Sequence, residues 1–138
     1  MKIRSYQPQD EAAVIALWHD CGLVRPWNDP RKDIARKLTA QPELFLVGTV
    51  DALPVATAMV GFDGHRGWVY YLAVASSHRQ QSYGTLLMRE AEHLLMERGC
   101  PKLCLMVRSS NAGVIEFYRQ LGYTQDEVVS LGRRLIPD

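Results

Sequence analysis

The chain is poor in the features that mark specialised classes of protein. Its 138 residues include only three cysteines, Cys21, Cys100 and Cys104, with no Cys-x-x-Cys spacing. An odd count so placed argues against a disulfide framework or a thiolate zinc site, and predicts a reducing, cytoplasmic setting. His19, His78 and His93 have no ligand spacing between them, so no metal is expected. No run approaches the roughly 18 apolar residues of a membrane span, and Met1-Lys2-Ile3-Arg4 lacks an apolar signal segment. A protein neither secreted nor membrane-bound is expected. Charge of one sign is missing too. The formal net charge is +1, which advertises no basic face for nucleic acid or a membrane surface. No repeat, linker or low-complexity segment divides the chain.

What is present is the balance of an ordinary globule. Hydrophobic residues make up 47% and charged residues 22%, enough for one domain over residues 1–138 whose core needs no staples. Residues 2–6 read as a short strand. Pro8 opens a helix carrying Ala12, Val14, Ile15, Leu17 and Trp18 at helical spacing, stopped by Gly22. Arg25-Pro26-Trp27-Asn28-Asp29-Pro30 is turn-rich, and Asp29 before Pro30 caps a second helix through Leu38. Residues 44–50 and 55–62 form a hairpin about Asp51-Ala52. Residues 68–74 are apolar on both faces, as in a central strand. A polar loop leads to a long amphipathic helix with Leu86, Leu87, Ala91, Leu94 and Leu95 on one stripe, closed by Gly99. Residues 103–107 read as a buried strand, residues 111–122 as a helix, and residues 126–135 as a last strand. The fold class is α/β, a mixed central sheet with helices on both faces, in the order β-α-α-β-β-β-α-β-α-β.

Two segments bear on function. The strand at 68–74 runs through a glycine-bearing loop into a helix, and a helix N-terminus presents free N–H groups that suit phosphate. By itself the loop reads as a plain βα connection. It carries neither the Gly-Lys-Ser/Thr of a nucleotide-binding loop nor three spaced glycines, which speaks against ATP and NAD. The second segment runs from Asn111, a helix cap, to Phe117-Tyr118 and Gly122. Alone, Tyr118 reads as a structural tyrosine whose hydroxyl needs a partner.

Together the segments resemble the GNAT superfamily of N-acetyltransferases, along essentially the whole chain. Leu72-Ala73-Val74 followed by Arg79-Gln80-Gln81-Ser82-Tyr83-Gly84 is similar to the family's coenzyme motif. Asn111 with Phe117-Tyr118-Arg119-Gln120-Leu121-Gly122-Tyr123 is similar to its later signature. The resemblance implies an enzyme that moves the acetyl group of acetyl-CoA to an amine of a small molecule or peptide by direct attack, without a metal. It implies pantetheine on the backbone of Leu72, Ala73 and Val74, with pyrophosphate held by Gln80, Gln81, Ser82, Tyr83, Gly84 and Thr85 and by the charge of Arg79. Asn111 would contact the pantetheine arm, and Tyr118 would protonate the departing thiolate. Trp18, Arg25, Trp27 and Tyr70 are acceptor-side candidates, though Trp27 reads equally well as pinning its connector to the core. A homodimer through the last strand is left open.

The chain departs from the family pattern at two places. Gln80 and Ser82 stand where relatives keep glycine; a left-handed backbone there costs a side chain about 1–2 kcal/mol unless Ser82 serves as a cap. Met106 stands where some relatives place a glutamate base, and a thioether accepts no proton. Tyr70, Tyr71, His65, Asp63 and Glu116 are the remaining base candidates. These departures keep a second reading open, an acetyl-CoA-binding sensor or partner module with little catalysis.

Overall fold

A computed structural model describes all 138 residues. Two compact units follow one another along the chain, Met1–Leu105 and Met106–Asp138.

The first unit opens with β1 (Lys2–Ser5), a 3-10 turn at Pro8–Asp10, and α1 (Glu11–Asp20). Arg4 grips Asp10 through two bonds of 2.7 and 2.9 Å, which ties strand to turn. α2 (Pro30–Lys37) starts where Asp29 Oδ1 accepts the N–H groups of Arg31 and Lys32, the cap that the Asp-Pro pair foretells. β2 (Phe45–Val50) and β3 (Leu53–Phe62) form the hairpin. Its turn residues Asp51 and Ala52 have φ of 51° and 63°, the primed geometry that matches strand twist. β4 (Gly67–Val74), α3 (Tyr83–Glu97) and β5 (Leu103–Cys104) complete the unit. The sheet order is β1-β2-β3-β4-β5. Neighbours are antiparallel except β4 and β5, which are parallel, so the sheet is mixed, as expected.

Helices cover both faces. Phe45, Val47 and Ala73 on one face pack with Val14, Leu17 and Trp18 of α1 and Ile34 of α2. On the other face a Cβ at Gly67 would lie 2.6 Å from the Leu95 Cδ1 of α3, so any side chain there would force Leu95 to shift. Leu87, Met88, Ala91 and Leu95 make the buried stripe of α3. Burial of each large side chain of this kind contributes about 1.5–3 kcal/mol. No helix is long and apolar enough to cross a membrane.

The second unit contains α4 (Ala112–Gln120), capped by Asn111 Oδ1 accepting from Val114 N–H. Gly122, at φ 99°, ends it. Two expectations are corrected. Residues 126–135 form no strand, so the observed order ends on α4. Val128, Val129, Leu131 and Leu135 are all exposed. Their spacing does not alternate, Gly132 interrupts it, and a strand persists only through a ladder partner that this segment lacks. The strand expected over 103–107 pairs only at Leu103 and Cys104, and Met106 is exposed.

Candidate active site

β4 is partnered unequally on its two edges. It pairs with β3 along its length, but with β5 only at Gly67↔Leu103 and Trp68↔Cys104. From Val69 onward its second edge carries no strand. Ala75 N–H donates to Val55 O at 2.8 Å. The alternation of an antiparallel ladder then turns Ala73 toward β3 and Val74 toward the open edge, with Leu72 just before them where β5 no longer pairs. The Val74 carbonyl accepts from Arg79 Nε at 3.2 Å and from the Cys21 thiol at 3.4 Å. Arg79 is thus anchored where strand passes into loop.

A bulge stands just before this edge. Thr57 pairs with Ala73 while Met59 pairs with Tyr70, so Tyr71 and Leu72 together face Ala58. Tyr71 takes up the extra residue with φ 53°, a left-handed conformation that costs a bulky side chain about 1–2 kcal/mol. Three contacts hold it. Its ring stacks on Trp18 at 3.8 Å between centroids. Its carbonyl accepts from Thr57 Oγ1 at 2.8 Å, and that hydroxyl accepts from Trp18 Nε1 at 2.9 Å. Its own hydroxyl donates to Asp33 Oδ2 at 2.5 Å, while Arg36 holds Asp33 Oδ1 at 3.0 Å.

Beyond β4 the loop turns through Ser76–His78 into α3. Gln80 and Ser82 have φ of 63° and 62°, so both positions expected to favour glycine do adopt the left-handed backbone. The Ser82 side chain makes no capping bond. The first intrahelical bond is Leu86 N–H to Ser82 O, which leaves the N–H groups of Tyr83, Gly84 and Thr85 without intrahelical acceptors. This N-terminus suits an anion.

In the second unit, Tyr118 is buried and flanked edge-on by Phe117 and Tyr123, at 5.0 and 5.8 Å. Burial pushes its phenol up to about 12, so it stays protonated at neutral pH. Asn111 spends its carbonyl oxygen on the cap of α4.

Among the acceptor-side candidates, Trp18 is a correction. It is wholly buried, stacked between Phe45 and Tyr71, and offers no surface to an acceptor; its role is to carry Tyr71. Arg25 is exposed and Trp27 half-exposed. Tyr70 is half-exposed beside Trp68, its phenol raised by burial and then by the charge of Asp63. Asp63 is occupied by the N–H groups of Arg66 and His65 and the indole of Trp68, which hold its carboxyl below the usual range. Glu116 pairs with Arg119 at 2.8 Å. The residues that sequence reasoning passed over are Asp33, Thr57 and Cys21. Asp33 carries no local signal; it meets Tyr71 across 38 residues of chain.

The sequence profile of the Acetyltransferase (GNAT) family matches residues 11–123. The chain belongs to this family. Among GNAT relatives, an acetyltransferase of Yersinia pestis (strain Pestoides F) is 48% identical over all of this chain and 98% of its own length. One from Pectobacterium atrosepticum is 47% identical over the same shares. Two solved structures share the fold. The ribosomal-protein-S18-alanine N-acetyltransferase of Escherichia coli has a TM-score of 0.71 at 24% identity, over 91% of this chain and 78% of that one. AAC(6')-Iy, in complex with the bisubstrate analog CoA-S-monomethyl-acetylneamine, has a TM-score of 0.79 at 15% identity, over 98% of both chains. GNAT membership implies acetyl transfer as the chemistry.

Proposed function

We propose that this protein is an N-acetyltransferase that passes the acetyl group of acetyl-CoA directly to an amine. The observation that carries this reading is the open edge of β4 at Leu72 and Val74, leading into the uncapped N-terminus of α3. Such an edge offers N–H and C=O groups to the amides of pantetheine, with Ala73 between them in the strand. The loop amides of Gln80, Gln81, Ser82, Tyr83, Gly84 and Thr85 then meet the pyrophosphate, with Arg79 supplying positive charge. The Val74 N–H would polarise the thioester carbonyl. Asn111 would touch the pantetheine arm through its amide nitrogen. Tyr118, protonated, would give its proton to the departing thiolate. That AAC(6')-Iy is seen with a CoA-based analog on a like fold supports CoA as the ligand class.

The test is calorimetry with acetyl-CoA, followed by thiol release against a panel of primary amines. Binding with turnover is expected. Binding without turnover on any amine would favour a sensor, and no binding would remove both readings.

A further inference from the structure

Tyr71 is held by independent contacts in a conformation that side chains avoid, and backbone strain maintained in this way marks functional positions. We propose that Tyr71 and Asp33 form the site for the acceptor's nitrogen: the phenol oxygen accepts an N–H of a primary ammonium group, and Asp33 receives the proton that group sheds. This rests on the acetyl-transfer reading above. A phenol has one proton, and that of Tyr71 goes to Asp33 Oδ2. Its oxygen therefore meets any further group as an acceptor, with a carboxylate behind it to raise its electron density. That favours an N–H donor and disfavours carboxylate or phosphate. Tyr71 stands in the same strand just ahead of Val74, whose backbone groups face the open edge. The Asp33 side chain is 24% exposed, so solvent takes the proton onward, and Arg36 on Oδ1 keeps Oδ2 aimed at Tyr71.

The protons balance. The ammonium group gives one proton to the Tyr71 oxygen as the phenol's own proton passes to Asp33 and then to water. The freed nitrogen pair bonds to the thioester carbon and the C–S bond breaks. The second proton lost by the nitrogen offsets the one taken by the thiolate. Of the other candidate carboxylates, Asp63 is engaged by the N–H groups of its own turn and the indole of Trp68.

n-Butylamine serves as probe, since it offers N–H donors on a short alkyl arm. Tyr71→Phe keeps the ring that stacks on Trp18 and removes only the oxygen, while Asp33→Asn keeps size and removes charge. Each variant is expected to lower the rate of thiol release from acetyl-CoA with n-butylamine by about 100-fold. The double variant should fall no further than the worse single one, and acetyl-CoA affinity should stay within about twofold. A pair that only supports the fold would move affinity and rate together; that result, or a rate within about twofold of the parent in either variant, would overturn the assignment alone. A parent protein that binds acetyl-CoA but releases no thiol with n-butylamine or with any other primary amine of the panel from about pH 7 to 10 would overturn the transfer reading, and the assignment with it.

Discussion

The indole of Trp18 and the ring of Tyr71 lie 3.8 Å apart and 13° from parallel, with Thr57 bonded to both residues. The core of the α1 face and the bulge beside the open strand edge are therefore one structure, and a change in the first is felt in the second.

Thr57→Val tests that link. The substitution keeps volume but leaves the buried Trp18 N–H without its acceptor and removes the donor to the Tyr71 carbonyl. A loss of about 1–3 kcal/mol in denaturant melts is expected, together with weaker acetyl-CoA binding as the bulge relaxes. Unchanged stability would show that the hydroxyl is dispensable.

Ser82→Gly should act on stability more than on binding. Ser82 already adopts φ 62° without a ligand, so the strain belongs to the free protein as well. Relief of about 1–2 kcal/mol is partly offset by the 0.5–1 kcal/mol or so that glycine adds to unfolded-chain entropy. A net gain of up to roughly 1.5 kcal/mol in melts is expected, with acetyl-CoA affinity within about twofold. A large change in affinity would mean that the serine side chain itself meets the coenzyme.

Tyr118→Phe should lower turnover by about 100-fold while leaving coenzyme affinity nearly unchanged. Equal turnover would remove the phenol from the acid role. The phenol also bears on stability at high pH. Its folded value is raised by burial to about 12 from 10.0, so its contribution is complete below pH 10 and is lost as pH rises toward 12. Melts across that window should show a steeper fall than in the phenylalanine variant, which keeps only the slope from the other raised phenols, Tyr6 and Tyr70.

Arg4 and Asp10 set the acid side. The hydrogen bond from Arg4, then the backbone N–H of Gln7, hold the Asp10 carboxyl below its ordinary 3.8 against the burial that raises it. The stabilisation is complete above the ordinary carboxylate range and is lost as pH falls through the lowered value. Arg4→Leu leaves the Asp10 carboxylate with only the Gln7 N–H and should cost about 1–3 kcal/mol at neutral pH. It should also flatten the acid limb of the stability profile.

How much of the site was legible depended on the range of the signal. The loop proposed to meet the coenzyme is legible because Arg79-Gln80-Gln81-Ser82-Tyr83-Gly84 follows a strand and opens a helix, and its two left-handed positions are those where the family resemblance expects glycine. Trp18 lies sealed between Phe45 and Tyr71 and away from any acceptor, which an apolar helix stripe alone does not reveal. The last strand was misread because apolar content without alternation or a partner makes no ladder.

The sequence by itself determined the helices, the hairpin and the loop that joins β4 to α3. Their signals are local: Asp29 before Pro30, Asn111 as a cap, Gly22, Gly99 and Gly122 as stops, and apolar periods of one element at a time. Only the tertiary structure decided that β4 has an open edge, that Tyr71 bulges out of register, and that Asp33 is the group waiting at its hydroxyl. Those facts depend on which residues meet across a sheet and between a strand and a distant helix, and a one-residue shift in register leaves no trace in the composition of either strand.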